Sequence, residues 1–199
     1  MERSILIFKK DVVQKINLDE LYTTTGVPYL PGLEFINFRT LQKIKKKTLL
    51  KEMDLSHRWL SVYFRKELLR GALPKLSLRW VDEKMGWGVF AEQEFQAYEY
   101  IAEYAGLVRK RKREDSKNSY CFEYPMGEHS PYIIDAQDMG GISRYVNHSD
   151  QPNLSSLSIH VEGIHHIILH TIKKITKGCQ LCYDYGPTYW ELRPKPCRI

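Results

Sequence analysis

Between residues 76 and 187 the chain never sustains a helical apolar period. It runs instead through short alternating or apolar stretches broken by glycine and polar turns: LSLRWV, WGVFA, YEYIAEYAGLV, SYCFEY, PYIIDA, LSSLSIHV, HHIILHTI and QLCYDYG. Runs of this length, rich in β-branched and aromatic residues, read as strands. So many short strands in close succession must be buried in small sheets, so this part of the chain is expected to be mostly β.

Residues 1–75 read differently, as a helical N-terminal segment. From Asn37, an N-cap residue type, FRTLQKIKKKTLLKEM places Phe38, Leu41 and Ile44 on one stripe and Lys43, Lys45, Lys46 and Lys47 largely off it. LSHRWLSVYFRKELLRG then aligns Leu55, Trp59, Val62, Tyr63 and Leu69 and stops at Gly71, with Pro74 beyond. Two such amphipathic helices need a surface to pack on. If their apolar faces exceed what the β part covers, two copies pair through them as a homodimer. The expected fold class is α+β: a helical segment at 1–75, a mostly β domain at 76–187 and a C-terminal tail at 188–199.

The 199 residues suit one main domain with a smaller appendage. No apolar run approaches the roughly 20 residues that span a bilayer, and charges resume right after Phe8, so no membrane partner and no Sec-type export are expected. Four unevenly spaced cysteines fit reduced thiols in a cytoplasm or nucleus. The net charge of +6 favours an acidic partner or the neighbourhood of nucleic acid. RKRKREDSKN, residues 109–118, reads as an exposed basic insertion, open to a nuclear-import address, an acidic contact or plain solvation. Cys179-x-x-Cys182 is half a zinc site without a second half at usable spacing, and His160, His165, His166 and His170 add no ligand spacing to it, so no metal is expected.

Five short motifs follow in order: GWGVFA from Gly86, EYAG from Glu103, SYCFEY from Ser119, GGISRYVNHSDQPN from Gly140 and YDYG from Tyr183. In that order they resemble the SET domain of protein lysine methyltransferases over roughly residues 76–187. The resemblance implies short curled sheets with a pseudoknot, S-adenosylmethionine as cofactor, and a basic protein substrate of the histone or histone-like kind. A methylating enzyme of the histone-modification class is the leading reading. A catalytically silent SET-fold module that binds basic peptides or nucleic acid is the alternative. Direct nucleic-acid binding through Lys43 to Lys47 and the Arg109 cluster is a third. The cysteine-poor build is similar to stand-alone members, including bacterial ones of the chlamydial type, which would act in the bacterial cytoplasm or be secreted into a host cell and its nucleus.

By the same resemblance, Tyr185 is the catalytic tyrosine, Tyr104 lines the lysine channel, and Tyr183 stands where the family carries Phe or Tyr. The cofactor would be held by Met85, Gly86, Trp87, Gly88, Tyr120, Asn147, His148, Tyr185 and Trp190. The chemistry fits these residue types. Gly86 and Gly88 free the backbone for positive φ or close approach, and Asn147 and His148 offer polar edges. A lysine amine with a pKa near 10.4 must lose its proton before attacking a methyl group, and a desolvated phenol-lined channel beside a sulfonium favours the neutral form. A Tyr183 hydroxyl leaves less room for a methylated nitrogen, so mono- or di-methylation is expected. Asp150 stands where many relatives carry a zinc-linked cysteine and the tail holds only Cys197, so the site must close without metal, with Tyr189 and Trp190 as candidate covers.

Overall fold

The computed structural model describes residues 4–10, 12–49, 55–127, 130–191 and 193. Met53, at the end of the first expected helix, and Cys197 of the tail lie outside them.

The chain opens with strands, which corrects the reading of residues 1–75 as wholly helical. β1 (Ser4–Lys9) and β2 (Val12–Asn17) form an antiparallel hairpin. SILIF buries Ile5 and Ile7 and turns Leu6 and Phe8 the other way, a period of two that a test for an export signal does not weigh. A 3-10 turn, Leu18–Glu20, and the short helix α1 (Leu21–Thr25) follow, ended by Gly26 at φ 74°. After β3 (Glu34–Phe35) come α2 (Phe38–Leu49) and α3 (Leu55–Leu69) where the sequence placed them. Asn37 caps α2 through Oδ1, which accepts from Thr40 N at 2.9 Å.

The buried stripes differ from those expected. Ile44 is fully buried beneath α2, but Phe38 is 70% exposed. On α3 the buried line is Phe64 and Leu68, flanked by Leu60, while Leu55, Trp59, Val62 and Tyr63 face outward. α3 is apolar on two sides, so periodicity finds a helix without saying which side faces the core. Phe64 and Leu68, packed on Ile159 and Ile168, each contribute on the order of 2 kcal/mol by burial.

The remaining strands form small sheets. β4 (Leu76–Asp82) pairs antiparallel with β5 (Gly86–Ala91) and parallel with β1, giving the order β2-β1-β4-β5. β6 (Tyr100–Glu103) joins the hairpin of β11 (Leu154–Val161) and β12 (Ile164–Thr171), whose turn uses Glu162 and Gly163, both at positive φ as a two-residue hairpin turn requires. β7 (Leu107–Lys110), β8 (Cys121–Glu123) and β9 (Tyr132–Asp135) assemble with β3 in the order β3-β7-β9-β8. β10 (Asn147–His148) lies parallel to β13 (Cys182–Tyr183), and α4 (Pro187–Trp190) follows. The domain is mostly β with helices on its surface. Among the described residues no helix is long and apolar enough to cross a membrane.

Candidate active site

The pairing of β10 with β13 puts two distant polar motifs side by side. Asn147 lies opposite Cys182 and His148 opposite Tyr183. Asn153 fastens the junction: its Nδ2 donates to Gln180 O at 2.8 Å and its Oδ1 accepts from Cys182 N at 2.9 Å. Ser149 N adds a bond to Tyr183 O at 3.2 Å. An asparagine side chain can both donate and accept, which is what an irregular crossing of two strand ends needs.

A cavity of about 1740 Å³ opens beside this junction. Met85, Gly86 and Trp87 reach it from the start of β5, Asn147 and His148 from β10, and Tyr104 and Tyr120 from the loops after β6 and before β8. Tyr183, Tyr185 and Trp190 complete the set. Of the residues named from sequence, only Gly88 is not part of the lining. It acts from behind. A Cβ there would stand 2.7 Å from Gln180 Nε2 and 3.2 Å from Asn147 Nδ2, so the missing side chain lets the Asn147 amide reach Trp87 O at 3.3 Å. Gly86, at φ 69°, supplies the turn.

Tyr104 and Tyr183 are buried, Tyr185 is half-buried, and all three are neutral. Tyr185 Oη donates to Val146 O at 2.8 Å, and Tyr104 Oη donates to Tyr120 O at 3.0 Å. The Tyr183 and Tyr185 rings are 4.8 Å apart. Burial pushes the Tyr104, Tyr183 and Tyr185 hydroxyls well above the usual phenol range, and the neighbouring phenols push further in the same direction. None of them can serve as a phenolate base near neutral pH. What they can do is line a dry wall with hydroxyl dipoles. Burial also raises Cys182, to about 11, so its thiol stays protonated beside them.

His148 Nδ1 accepts from Tyr185 N at 3.2 Å, which leaves the proton of a neutral ring on Nε2. That atom is buried without a hydrogen bond, 3.4 Å from Asp150 Oδ1. Asp150 therefore faces the histidine. Among the described residues no group of three or more His, Cys, Asp or Glu is placed to hold a metal. Cys179 is exposed in the turn before β13, with Sγ 3.1 Å from Thr176 Oγ1.

Two arginines carry structure that sequence reasoning missed or misread. Arg109, expected in an exposed insertion, is only 9% exposed and grips Asp115 and Asp135 with bonds of 2.6–2.9 Å. Two carboxylates at the right register outweigh the solvation of a guanidinium, and a run of like charges conceals that. Arg193 stacks on Tyr189 at 4.4 Å and donates from Nη2 to Ser116 O at 2.9 Å and from Nη1 to Tyr189 O at 3.0 Å. It straps the tail to the 3-10 turn Arg113–Lys117. Above the strap, Trp190 lies edge-on to His148 at 4.7 Å and parallel to Tyr185 at 6.2 Å. No pattern around Arg193 announces this role.

The model of the SET domain family matches residues 86–186, just over half of the chain. The chain belongs to the SET domain family. Its SET domain is 35% identical over 107 residues to "Histone-lysine N-methyltransferase 2B" of Homo sapiens, covering 50% of this chain and 4% of that protein. It is 32% identical over 114 residues to "Histone-lysine N-methyltransferase Su(var)3-9" of Drosophila melanogaster, covering 50% and 18%. The chain thus spans less than a fifth of these relatives' length. A solved structure of KRYPTONITE is similar at 29% identity and a TM-score of 0.49, covering 57% of this chain and 23% of that one. The SET match begins at Gly86 and ends at Gly186, so it brackets the turn of β5 and the junction with β13 that frame the cavity.

Proposed function

We propose that this SET domain is an S-adenosylmethionine-dependent protein-lysine N-methyltransferase that acts on a basic protein of the histone or histone-like kind, adding one or two methyl groups. The observation that carries the reading is the convergence, on one cavity, of three neutral tyrosines with the Asn147–His148 pair. The relatives named above are histone-lysine methyltransferases by name, which supports the same class.

The residues present fit the cofactor. His148 Nε2 is buried at the cavity wall without a hydrogen bond, Gly86 leaves the start of β5 bare, and Trp190 stands beside His148. When bound, the cofactor supplies an electrophilic methyl group on a sulfonium. The chain's own groups do the rest. Burial of Tyr104, Tyr183 and Tyr185 disfavours the ammonium form of an inserted lysine, whose proton leaves to water. In-line positioning of that amine between the phenol walls would then carry much of the rate. Tyr185, tied to Val146 O, holds its oxygen at a fixed place in the cavity wall.

Transfer of a labelled methyl group to mixed basic proteins, with Tyr185→Phe as control, tests the reading. Transfer that the variant loses supports it. Cofactor binding without transfer by the intact chain would leave a binding module instead. A homodimer remains part of the proposal through the outward face of α3, where Leu55 is 81% and Val62 74% exposed. A monomer mass at high concentration in light scattering removes it. Action in the cytoplasm or nucleus goes with the proposal, because the cofactor and such substrates meet there.

A further inference from the structure

A second cleft, of about 400 Å³, lies away from the tyrosines. Its walls are Lys43, Lys46 and Lys47 of α2 on one side and Lys110, the last residue of β7, on the other; Pro131 and Tyr132 form its floor. The placement is firm. Ile44, between the lysines on α2, is fully buried and belongs to the same cluster as Tyr132 and Val108, and Lys110 is paired across the sheet with Tyr132. The helix cannot rotate these ammonium groups away without exposing Ile44.

None of the four lysines has a carboxylate within ion-pair distance among the described residues. Lys43 and Lys47 are one helical turn apart, as are Lys43 and Lys46, and like charges at those spacings destabilise a helix by about 0.2–0.5 kcal/mol per pair. Around this cleft the fold thus gathers four exposed ammonium groups with no carboxylate partner among the described residues, a surface suited to an anion. The charge also continues. Beyond Lys110 come Arg111, paired with Glu123, and the exposed Lys112 and Arg113, and all three line the rim of the catalytic cavity. A track of cations running from a cleft to the mouth of a channel matches a linear polyanion better than a single phosphate.

We propose that this cleft and the ridge beyond it bind the phosphate backbone of nucleic acid, so that a basic protein packaged on that nucleic acid is delivered to the channel. The delivery step rests on the methyltransferase reading above; the binding step does not. Arg109, buried on its two aspartates, takes no part.

Fluorescence anisotropy of a short labelled DNA duplex, without cofactor, tests the binding in the full chain. The comparison is the wild type, the triple variant Lys43→Ala, Lys46→Ala, Lys47→Ala, and Lys173→Ala as a distant basic control. The lysines are exposed, and circular dichroism checks that the triple variant folds. Each lost phosphate contact lowers the log–log salt slope by about 0.9, so the triple variant should lose roughly 2–3 of that slope and bind at least tenfold more weakly at low salt, with the control unchanged. No binding by the wild type, an unchanged slope in the triple variant, or tighter binding to anionic phospholipid vesicles than to the duplex overturns the proposal. Methylation of a free basic peptide should be equal in all three proteins. Loss of transfer everywhere with the DNA result intact would instead sink the methyltransferase reading.

Discussion

Arg109→Met removes one cation from between two carboxylates. Arg109 donates from Nε and Nη2 to Asp135 Oδ2 and from Nη1 and Nη2 to the two oxygens of Asp115. The three side chains are 10%, 15% and 8% exposed, so the variant strands two nearly buried charges. Removing one partner of such a group costs about 3–5 kcal/mol, whereas an exposed pair contributes about 0–1. Arg111–Glu123, at 47% and 51% exposure, is the internal comparison. With a urea slope of about 2 kcal/mol/M, Arg109→Met should lower the unfolding midpoint by about 2 M and Arg111→Met by less than about 0.5 M. The Arg109 hydrogen bond holds the Asp115 carboxyl below its usual range. Its stability is therefore complete above the unfolded value of about 3.9 and is lost as pH falls through the lower folded value. The gap between wild type and Arg109→Met should be flat from about pH 6 to 8 and shrink below about pH 4. A difference under about 1 kcal/mol between the two variants at neutral pH would refute the assignment of Arg109 as a buried clamp.

Other expectations follow from single contacts. Tyr183→Phe should raise the methylation state, read by peptide mass spectrometry; trimethyl-lysine as the main product of the unmodified protein would contradict that role. Gly106→Ala would set a Cβ 2.6 Å from Asp135 O, a backbone atom that cannot step aside, so a loss of about 1–3 kcal/mol and a matching fall in melting temperature are expected by scanning fluorimetry. Arg193→Ala removes charge-assisted bonds to Ser116 O and Tyr189 O, and a loss of about 1–2 kcal/mol should raise the apparent KM for S-adenosylmethionine about 5–30-fold, measured by initial rates. An unchanged KM would show that the strap does not bear on the cavity.

Much of the fold was legible because strands leave local signatures. PYIIDA, LSSLSIHV and HHIILHTI carry β-branched runs, and each is a strand. The N-terminal hairpin was missed because Ser4–Lys9 is short and pairs with Leu76–Asp82, a contact just over seventy residues away that leaves no local trace. The outward face of α3 was misassigned for a related reason: two apolar stripes compete, and only the position of β11 and β6 decides between them. In the site, motif order located the residues that line the cavity. It could not supply the partners that fix them, such as the carbonyl of Val146, because any residue offers a carbonyl and geometry alone selects one.

Those partners also explain how the cavity closes. The strap at Arg193 ends on the carbonyl of Ser116, in the turn whose Asp115 is held by Arg109, which in turn holds Asp135 on β9. Tail, turn and sheet are therefore joined by two guanidinium groups in series. Beside this strap Asp150 stands against His148, and the described residues offer no cluster placed to hold a metal. A chain of guanidinium contacts in that position couples stability to access. Loosening Arg109 frees the turn to which Arg193 is fastened, so the effects of Arg109→Met and Arg193→Ala on cofactor KM should not add: with the anchor already loose, removing the strap changes little more.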